Sequence, residues 1–562
     1  NRPVLVAQSD TLVFFATFDE ANDLFLWRTD GTTAGTLPIL RKSGVRYYPS
    51  KFLHYKDELY FMATSSNDAI IYRLDETATS LEKIFSIELF DHSGPSFDYT
   101  FIGDKIFFYQ QKENGRFRIG NYDLIKEETS FLDSLEYGRI RFQEDAKLNE
   151  QFFFSTSSGR ADQYQVWRTD GSLSGTNKLS EIFLAANNNS PDFYLEEGEK
   201  IYFRALKDAP NARNYNLWET DGTIEGTKNL SFFATNSIFN IAAIDKGKIF
   251  LNIENRETGV EPWSYDIEKK SFQLLIDVEK NSYSSGTLSV TPFNEHYYFI
   301  AYSEALGHQV YVTDGTAEGT QILKEIKGAF DVGQARNLFQ FKNHLFFNNA
   351  DLLFGFEFWR SGGTIENTHL LKDIYKNPAG TRLTLLDAGP QMPFFFFAEN
   401  DDYEIPAGLW TSDGSTEGTR FLKAINPGTV RISYFNKTIP SLDGSAFFLA
   451  RNEETGGELW KSDGSIAGTQ LVKDILPGPL GFNTFTFFQT SQRVFFIPEN
   501  FNNFPYPLWV SDGSTEGTYQ LKFTATEGEA LGRINVLGSF DSLLYVAVRK
   551  DEGRQAIWKT NG

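Results

Sequence analysis

The sequence has no cysteine, only two methionines and six histidines, and no long apolar run. The absence of cysteine excludes disulfides, thiolate zinc sites, iron–sulfur clusters and cysteine nucleophiles. No apolar run approaches the roughly 20 residues of a transmembrane helix, so no transmembrane segment is predicted. Basic residues are outnumbered by acidic residues, 53 against 74, which gives a net charge of −21. Nucleic acid and anionic membranes are therefore not expected as partners.

The sequence also lacks the short motifs that mark most catalytic and cofactor sites. There is no His-Glu-x-x-His pattern, no Gly-x-Ser-x-Gly elbow and no phosphate-binding loop with a Lys-Ser/Thr ending. Acidic pairs, such as Asp401-Asp402 or Glu197 near Glu199, are common by chance in a chain with 74 acids and are read as solvated loops. We therefore predict no enzyme activity, no cofactor and no metal site.

What the sequence does contain is a repeat. A motif of the form Trp-x-Thr-Asp-Gly-Thr-x-x-Gly-Thr recurs about every 48 residues, and all nine tryptophans occupy its first position. The twelve anchor positions are Trp27, Tyr72, Ile119, Trp167, Trp218, Trp263, Tyr311, Trp359, Trp410, Trp460, Trp509 and Trp558.

Short apolar segments surround each anchor and predict four strands per repeat. One lies 11 to 15 residues before the anchor, such as Phe394–Phe397, another lies further upstream, and a third follows the Gly-Thr pair. Aromatic residues make up 16% of the chain, which favours strands over helices. Four strands in about 48 residues is the unit of a β-propeller blade. The predicted fold is therefore all-β, with about twelve blades.

The sequence constrains the number of rings less than it constrains the number of blades. Rings of four to eight blades are usual, so we predict two tandem propellers, at residues 1–278 and 279–562, of about six blades each. The last blade is incomplete at Gly562. A five-plus-seven division, one large ring and an open array remain alternatives.

The motif is predicted to join the third and fourth strands of each blade. Asp-Gly suits a tight turn with positive φ, and the Asp carboxylate can accept hydrogen bonds from backbone N–H groups just ahead. A calcium loop would need several converging oxygens, so the repeated Asp is interpreted as a turn cap. The second Gly is expected to let the chain re-enter the sheet. The Trp is expected between neighbouring blades, with its indole N–H bonded to a carbonyl of the adjacent blade.

These residues resemble the ELWxTDGTxxGT repeats of large secreted proteins from Bacteroidota, many of which end in a type IX secretion sorting domain. Seven full and five degraded copies cover essentially the whole chain. The resemblance implies a secreted protein, or one on the outer face of the outer membrane, that uses this secretion machinery. The start at Asn1 without Met is consistent with a removed signal peptide, and we expect the natural polypeptide to continue beyond Gly562.

A repeated turn cannot distinguish one blade from another, so specificity is expected where blades differ. The loops between second and third strands are predicted to be longest at Arg204–Asn216 and Ala398–Gly408, on the face that usually binds ligands. The proposed partner-binding residues are Arg213, Tyr215, Asp402 and Tyr403. We predict a non-catalytic binding or structural module, for adhesion or interaction with a protein or glycan at the cell surface. The alternative is a propeller enzyme acting on extracellular glycans, with carboxylates from different blades converging on a central channel.

Overall fold

The structure is a computed structural model, and it describes the chain apart from several short stretches. The stretches outside the description are residues 1–3, 9–11, 19–23, 43–49, 65–67, 75–80, 90–96, 113–116, 158–163, 181–191, 207–214, 232–236, 281–284, 286–289, 327–336, 375–381, 387–391, 400–406, 433–438, 500–506, 524–530 and 551–554, and the single residues 31, 33, 57, 138, 150, 256, 428 and 541.

The described residues form strands and turns without a helix, arranged in twelve sheets. Each sheet corresponds to one sequence repeat and is called a blade, numbered 1 to 12 along the chain. Blades 1 to 4 are formed by β1 (Val4–Gln8), β2 (Val13–Phe18), β3 (Leu24–Thr29) and β4 (Leu37–Lys42); β5 (Ser50–Tyr55), β6 (Glu58–Thr64), β7 (Asp68–Leu74) and β8 (Leu81–Glu88); β9 (Phe97–Ile102), β10 (Lys105–Gln111), β11 (Phe117–Asp123) and β12 (Glu128–Tyr137); and β13 (Arg139–Leu148), β14 (Gln151–Ser157), β15 (Tyr164–Thr169) and β16 (Asn177–Ser180).

Blades 5 to 8 repeat the same order of four strands. They are formed by β17 (Asp192–Glu197), β18 (Lys200–Leu206), β19 (Tyr215–Thr220) and β20 (Lys228–Asn229); β21 (Ser237–Asp245), β22 (Lys248–Asn255), β23 (Gly259–Asp266) and β24 (Ser271–Leu274); β25 (Val290–Phe293), β26 (His296–Ser303), β27 (Gly307–Thr313) and β28 (Gln321–Ile322); and β29 (Phe339–Phe341), β30 (His344–Asp351), β31 (Gly355–Ser361) and β32 (Thr368–Leu370).

Blades 9 to 12 include two additional strands from the connection after blade 9. Blade 9 contains β33 (Arg382–Leu386), β34 (Phe394–Glu399), β35 (Gly408–Ser412) and β36 (Arg420–Lys423), and the additional strands are β37 (Asn426–Pro427) and β38 (Thr429–Ile432). Blades 10 to 12 are formed by β39 (Ser441–Leu442), β40 (Ser445–Asn452), β41 (Gly456–Ser462) and β42 (Gln470–Lys473); β43 (Thr484–Gln489), β44 (Val494–Glu499), β45 (Trp509–Ser511) and β46 (Tyr519–Gln520); and β47 (Leu531–Phe540), β48 (Leu543–Lys550) and β49 (Gln555–Thr560).

Nine of the twelve sheets are four-stranded, with sequential strands as neighbours. Their pairings are antiparallel, as in β34 and β35, where Phe396 lies opposite Trp410. β37 pairs with β40, and β38 runs parallel to β43, so the sheets of blades 10 and 11 gain a fifth strand. Second and third strands are buried on both faces, as in β35, where all five residues are buried. The predicted all-β propeller of four-stranded blades is confirmed.

The apolar core lies between the blades. Buried side chains from successive blades form shared clusters; Phe358 and Leu371 of blade 8, for example, pack with Phe396 and Trp410 of blade 9. Burial of this apolar surface holds each blade to the next because hydrophobic stabilisation scales with the apolar area removed from water. Within the described part of the chain, no helix has the length and hydropathy needed to cross a lipid bilayer.

Blades 6 and 7 lie on either side of the predicted boundary at 278/279. The Phe250 and Tyr297 rings have centroids 4.3 Å apart, and Leu275 is buried in the same cluster. Strand β1 of the first blade also contacts strand β47 of the last. The division into two propellers stays a prediction, and these two contacts favour the alternative of one large ring.

Candidate functional site

The repeated turn is built from hydrogen bonds that the Asp carboxylate organises. In blade 9, Oδ1 of Asp413 accepts hydrogen bonds from the backbone N–H of Ser415, at 2.8 Å, and from its hydroxyl, at 2.7 Å. That hydroxyl oxygen accepts from the N–H of Gly418, at 2.9 Å. The hydrogen bonds from Ser415 lower the pKa of Asp413. The same Asp contact to the residue two positions ahead occurs at Asp30, Asp170, Asp221, Asp314, Asp463 and Asp512. The predicted turn-capping role is confirmed.

Each glycine of the motif has its own steric reason. Gly414 has φ of 94°, a conformation that L side chains rarely adopt. A Cβ on Gly418 would lie only 2.0 Å from the carboxylate of Asp413. The second glycine is therefore required because the carboxylate packs against its Cα, a reason more specific than the predicted return of the chain to the sheet.

The turn is also the joint between neighbouring blades. The carbonyl of its first glycine accepts a hydrogen bond from the preceding blade: Arg360 donates to Gly414, at 2.7 Å, and Lys461 donates to Gly513, at 2.7 Å. Ser264 donates to Gly315 in the same way, at 2.8 Å, across blades 6 and 7. Oδ1 of the turn Asp and the carbonyl of its first glycine thus both accept hydrogen bonds within the fold.

Among the described residues, every tryptophan except Trp27 packs in an apolar cluster shared by two blades, as predicted, but most of the indole N–H groups do not bond as predicted. Several of the rings stack on the phenylalanine opposite them, as Trp410 does on Phe396, with centroids 6.4 Å apart. In blade 4 the indole of Trp167 donates to the hydroxyl of Thr156 in its own blade, at 2.9 Å. The prediction of a carbonyl acceptor in the adjacent blade is wrong at several positions, where the buried indole nitrogen has no partner within the described residues: Trp218, Trp359, Trp410, Trp460, Trp509 and Trp558. The position of Thr156 is alanine in several of these blades, and strand carbonyls are already used by the sheet.

Sequence reasoning missed a row of fully buried glutamates two residues before the tryptophan. They are Glu261, Glu357 and Glu458, all 0% exposed. Glu458 accepts hydrogen bonds from the backbone N–H groups of Ile475 and Leu476, each at 3.0 Å, and so fastens the chain where it leaves the blade. Burial raises the pKa of Glu458 to about 8 and that of Glu261 to about 7. Glu261 likewise accepts a hydrogen bond from the backbone N–H of Val278, at 3.2 Å. Because the Glu261 and Glu458 carboxyl groups are buried and bind backbone, we interpret them as structural.

The raised pKa of Glu458 predicts a pH dependence of stability. The folded chain keeps a proton on Glu458 up to about pH 8, whereas the unfolded chain releases it near its ordinary value of 4.5. Stability is therefore expected to fall as the pH rises through this interval, by on the order of 5 kcal/mol at most. Urea denaturation between pH 5 and pH 8 should show a smaller fall in Glu458→Gln than in the wild type. The exposed Glu454→Gln serves as the matched control, and an equal slope in all three proteins would contradict the assignment.

Of the four predicted partner-binding residues, the structure describes only Tyr215. Arg213, Asp402 and Tyr403 lie outside the described residues. Tyr215 is the first residue of β19 and is half-buried, with the guanidinium carbon of Arg204 4.5 Å from its ring centroid. Both predicted loops are shorter than expected because Arg204–Leu206, Tyr215–Asn216, Ala398–Glu399 and Gly408 belong to strands. The loop cores, 207–214 and 400–406, remain the predicted binding segments.

The loops between second and third strands share one face with the connections between blades. In blade 10, Gly457, next to this loop, bridges Gly481 in the connection to blade 11, and its carbonyl accepts from the N–H of Phe482 at 2.7 Å. This face is called the loop face below. The repeated Asp-Gly turns lie at the other end of the same strands, as the strand order requires.

The chain is similar to several solved structures at low sequence identity. Neither a family model nor a curated protein matches the chain. Among solved structures, it is similar to the β-propeller domain of the Trilobed protease from Pyrococcus furiosus, with 13% identity, 59% of this chain and 98% of that one covered, and a TM-score of 0.24. It is also similar to an uncharacterized protein from Listeria monocytogenes, with 12% identity, 57% and 93% covered, and a TM-score of 0.27. A third is TolB from Acinetobacter baumannii, with 16% identity, 47% and 63% covered, and a TM-score of 0.22.

Proposed function

We propose that this chain is a secreted or cell-surface β-propeller that acts as a non-catalytic binding or structural module for a protein or glycan. Export by the type IX machinery is part of the proposal and rests on the sequence resemblance. The partner is expected on the loop face, where blades differ in sequence and length.

This proposal rests on the observation that the repeated residues make contacts within and between blades. The turn Asp, its two glycines and the Trp are engaged in forming a blade or in joining it to the next, as in the contacts of Asp413, Gly414, Gly418 and Trp410. The buried Glu458 is likewise bound to backbone. The repeat therefore explains the scaffold, and the loops carried by a rigid scaffold are where binding residues concentrate.

The test replaces the loop cores and measures binding and stability separately. Residues 207–214 or 400–406 are exchanged for Glu-Glu-Thr, the loop residues of blade 10. Binding of the purified, labelled chain is then measured on intact Bacteroidota cells and on immobilised polysaccharides. We expect at least one exchange to weaken binding more than about tenfold, with a melting temperature within about 2 °C of the wild type.

A variant of the turn face provides the comparison. Ile466→Ser changes an exposed residue of the blade 10 turn, which is 65% exposed, and should leave binding intact. Unchanged binding in both loop exchanges, together with lost binding in the turn variant at full stability, would place the partner on the opposite face.

A further inference from the structure

Four blades use one hairpin template between their second and third strands. In each, a three-residue loop is closed by an opposed pair, formed by an Asn, Ser or Asp and a glycine: Asn255 with Gly259, Ser303 with Gly307, Asp351 with Gly355, and Asn452 with Gly456. The four glycines all have positive φ, between 66° and 75°. A left-handed glycine after a short loop is a common solution for three-residue hairpins.

The first side chain of each template caps its own loop. Asp351 accepts from the N–H of Leu353 at 2.7 Å, and Asn452 accepts from the N–H of Glu454 at 3.1 Å. Asn255 accepts in the same way from the N–H of Glu257, and the hydroxyl oxygen of Ser303 accepts from the N–H of Leu306, three residues ahead. The first and last residues of the template therefore maintain the hairpin. The side chains between them, at the tip, are not needed to form it.

The tip of blade 8 nevertheless carries two leucines. Leu352 is 53% exposed and Leu353 is 75% exposed. The same positions are Glu453 and Glu454 in blade 10, both exposed, and Glu304 and Ala305 in blade 7, also exposed. Since blade 10 builds the hairpin with two charged residues, the fold does not require leucine here. The two adjacent leucines therefore expose apolar surface to water that the hairpin itself does not need.

We propose that the blade 8 tip, Leu352 and Leu353, is the apolar anchor by which the loop face binds a basic peptide segment that carries apolar side chains flanked by Lys or Arg. This proposal deepens the proposed function and rests on it.

The charge of the loop face indicates the chemistry of the partner. Exposed acidic residues lie in the loops and connections of blades 7 and 10: Glu304, Glu325, Glu453, Glu454 and Asp474. The chain as a whole carries a net charge of −21. An apolar anchor on an acidic face complements apolar side chains flanked by basic residues. The acidic residues of the same face repel an anionic membrane or an acidic protein.

The test uses the full chain and an array of 12-residue synthetic peptides. In the peptides of the first, basic array, Leu and Phe occupy varied positions among Lys and Arg. In the second, acidic array, Glu replaces Lys and Arg at every position. We expect the wild type to bind peptides of the basic array and to discriminate against their acidic counterparts. The double variant Leu352→Glu/Leu353→Glu, which copies the blade 10 tip, should lose about tenfold or more in affinity.

The double variant separates apolar anchoring from plain charge attraction. It adds two negative charges, so a purely electrostatic interaction with basic peptides would become stronger in it. Its circular dichroism melt should match the wild type because blade 10 already folds with this tip. The reciprocal variant Glu453→Leu/Glu454→Leu, with leucines on the wrong blade, should not restore binding when combined with it.

Several results would overturn the proposal. The first is peptide binding by the Leu352→Glu/Leu353→Glu variant that equals or exceeds that of the wild type. The second is equal binding of the wild type to the basic and acidic arrays. The third is flotation of the wild type, but not of the variant, with phosphatidylcholine vesicles. The last result would assign the tip to a lipid surface. Binding to cells through 207–214 or 400–406 could persist in each case, so the proposed function would be judged separately.

Discussion

Expressed as separate polypeptides, residues 1–278 and 279–562 are each expected to be insoluble or to lack a cooperative unfolding transition. Separation would expose the apolar faces of blades 6 and 7, where Phe250, Leu275 and Tyr297 are buried together. It would also break the hydrogen bonds from Tyr297 to Asp245, at 2.7 Å, and from Ser264 to Gly315, at 2.8 Å. A propeller half with two unpaired apolar faces loses much of the burial that stabilises it.

A circular permutant provides the matched control for this experiment. It begins at 279, ends at 278 and joins 562 to 1 through a short flexible linker, so it keeps every residue. Because β1 contacts β47, we expect it to fold with a circular dichroism spectrum like that of the original chain. Two soluble halves, each with a cooperative melt, would instead establish the two-propeller division at 278/279.

Replacement of Trp410 by alanine should destabilise the protein by about 3–5 kcal/mol, the usual cost of removing a large buried aromatic side chain. Trp410 is 7% exposed and packs against Phe358 and Leu371 of the preceding blade. Its ring also contacts Phe421 edge-on, with centroids 5.7 Å apart. The alanine variant would leave a cavity at a blade interface that rigid neighbouring strands cannot close.

Chemical denaturation in urea measures this loss, and two further variants make it interpretable. Trp410→Phe keeps part of the contact and should cost less than the alanine variant. Tyr519→Ala removes an aromatic side chain that is 42% exposed and should change stability by less than about 1 kcal/mol. A Trp410→Ala effect as small as that of Tyr519→Ala would show that the tryptophan is not a structural element of the interface.

The sequence was sufficient to predict the blade because its signals are local and repeated. The period, the apolar strands and the Asp-Gly turn each report on the same four-stranded unit, and the hydrogen bonds of Asp413 match the prediction. The reason for Gly418 was not predictable from spacing, since it depends on where the Asp carboxylate lies in space. The acceptor of the indole N–H was mispredicted because sequence does not show which carbonyls the sheet leaves available.

The buried glutamates had a sequence signal that was overlooked. Each of the three lies 16 residues before an aspartate, and the pairs are Glu261 with Asp277, Glu357 with Asp373, and Glu458 with Asp474. The leucine tip of blade 8 had no such sequence signal. It lies outside the repeated motif, so the repeat does not align it with the tips of other blades. Only the shared hairpin geometry of blades 6, 7, 8 and 10 reveals that Leu352 and Leu353 depart from a template.

The hydrogen bond from one blade to the turn glycine of the next gives the ring a polarity. In these joints, the donor lies on the earlier blade and the acceptor carbonyl on the later one, as with Arg360 and Gly414 or Lys461 and Gly513. Each repeat therefore contributes a donor side chain to the joint with the next blade and an acceptor carbonyl to the joint with the preceding blade. A gene duplication that copies a whole repeat supplies both the donor and the acceptor at once, whereas one that copies part of a repeat leaves a joint without its partner. Lineages carrying this architecture should accordingly gain or lose blades in whole units, and the number of blades can change without any new interface having to evolve.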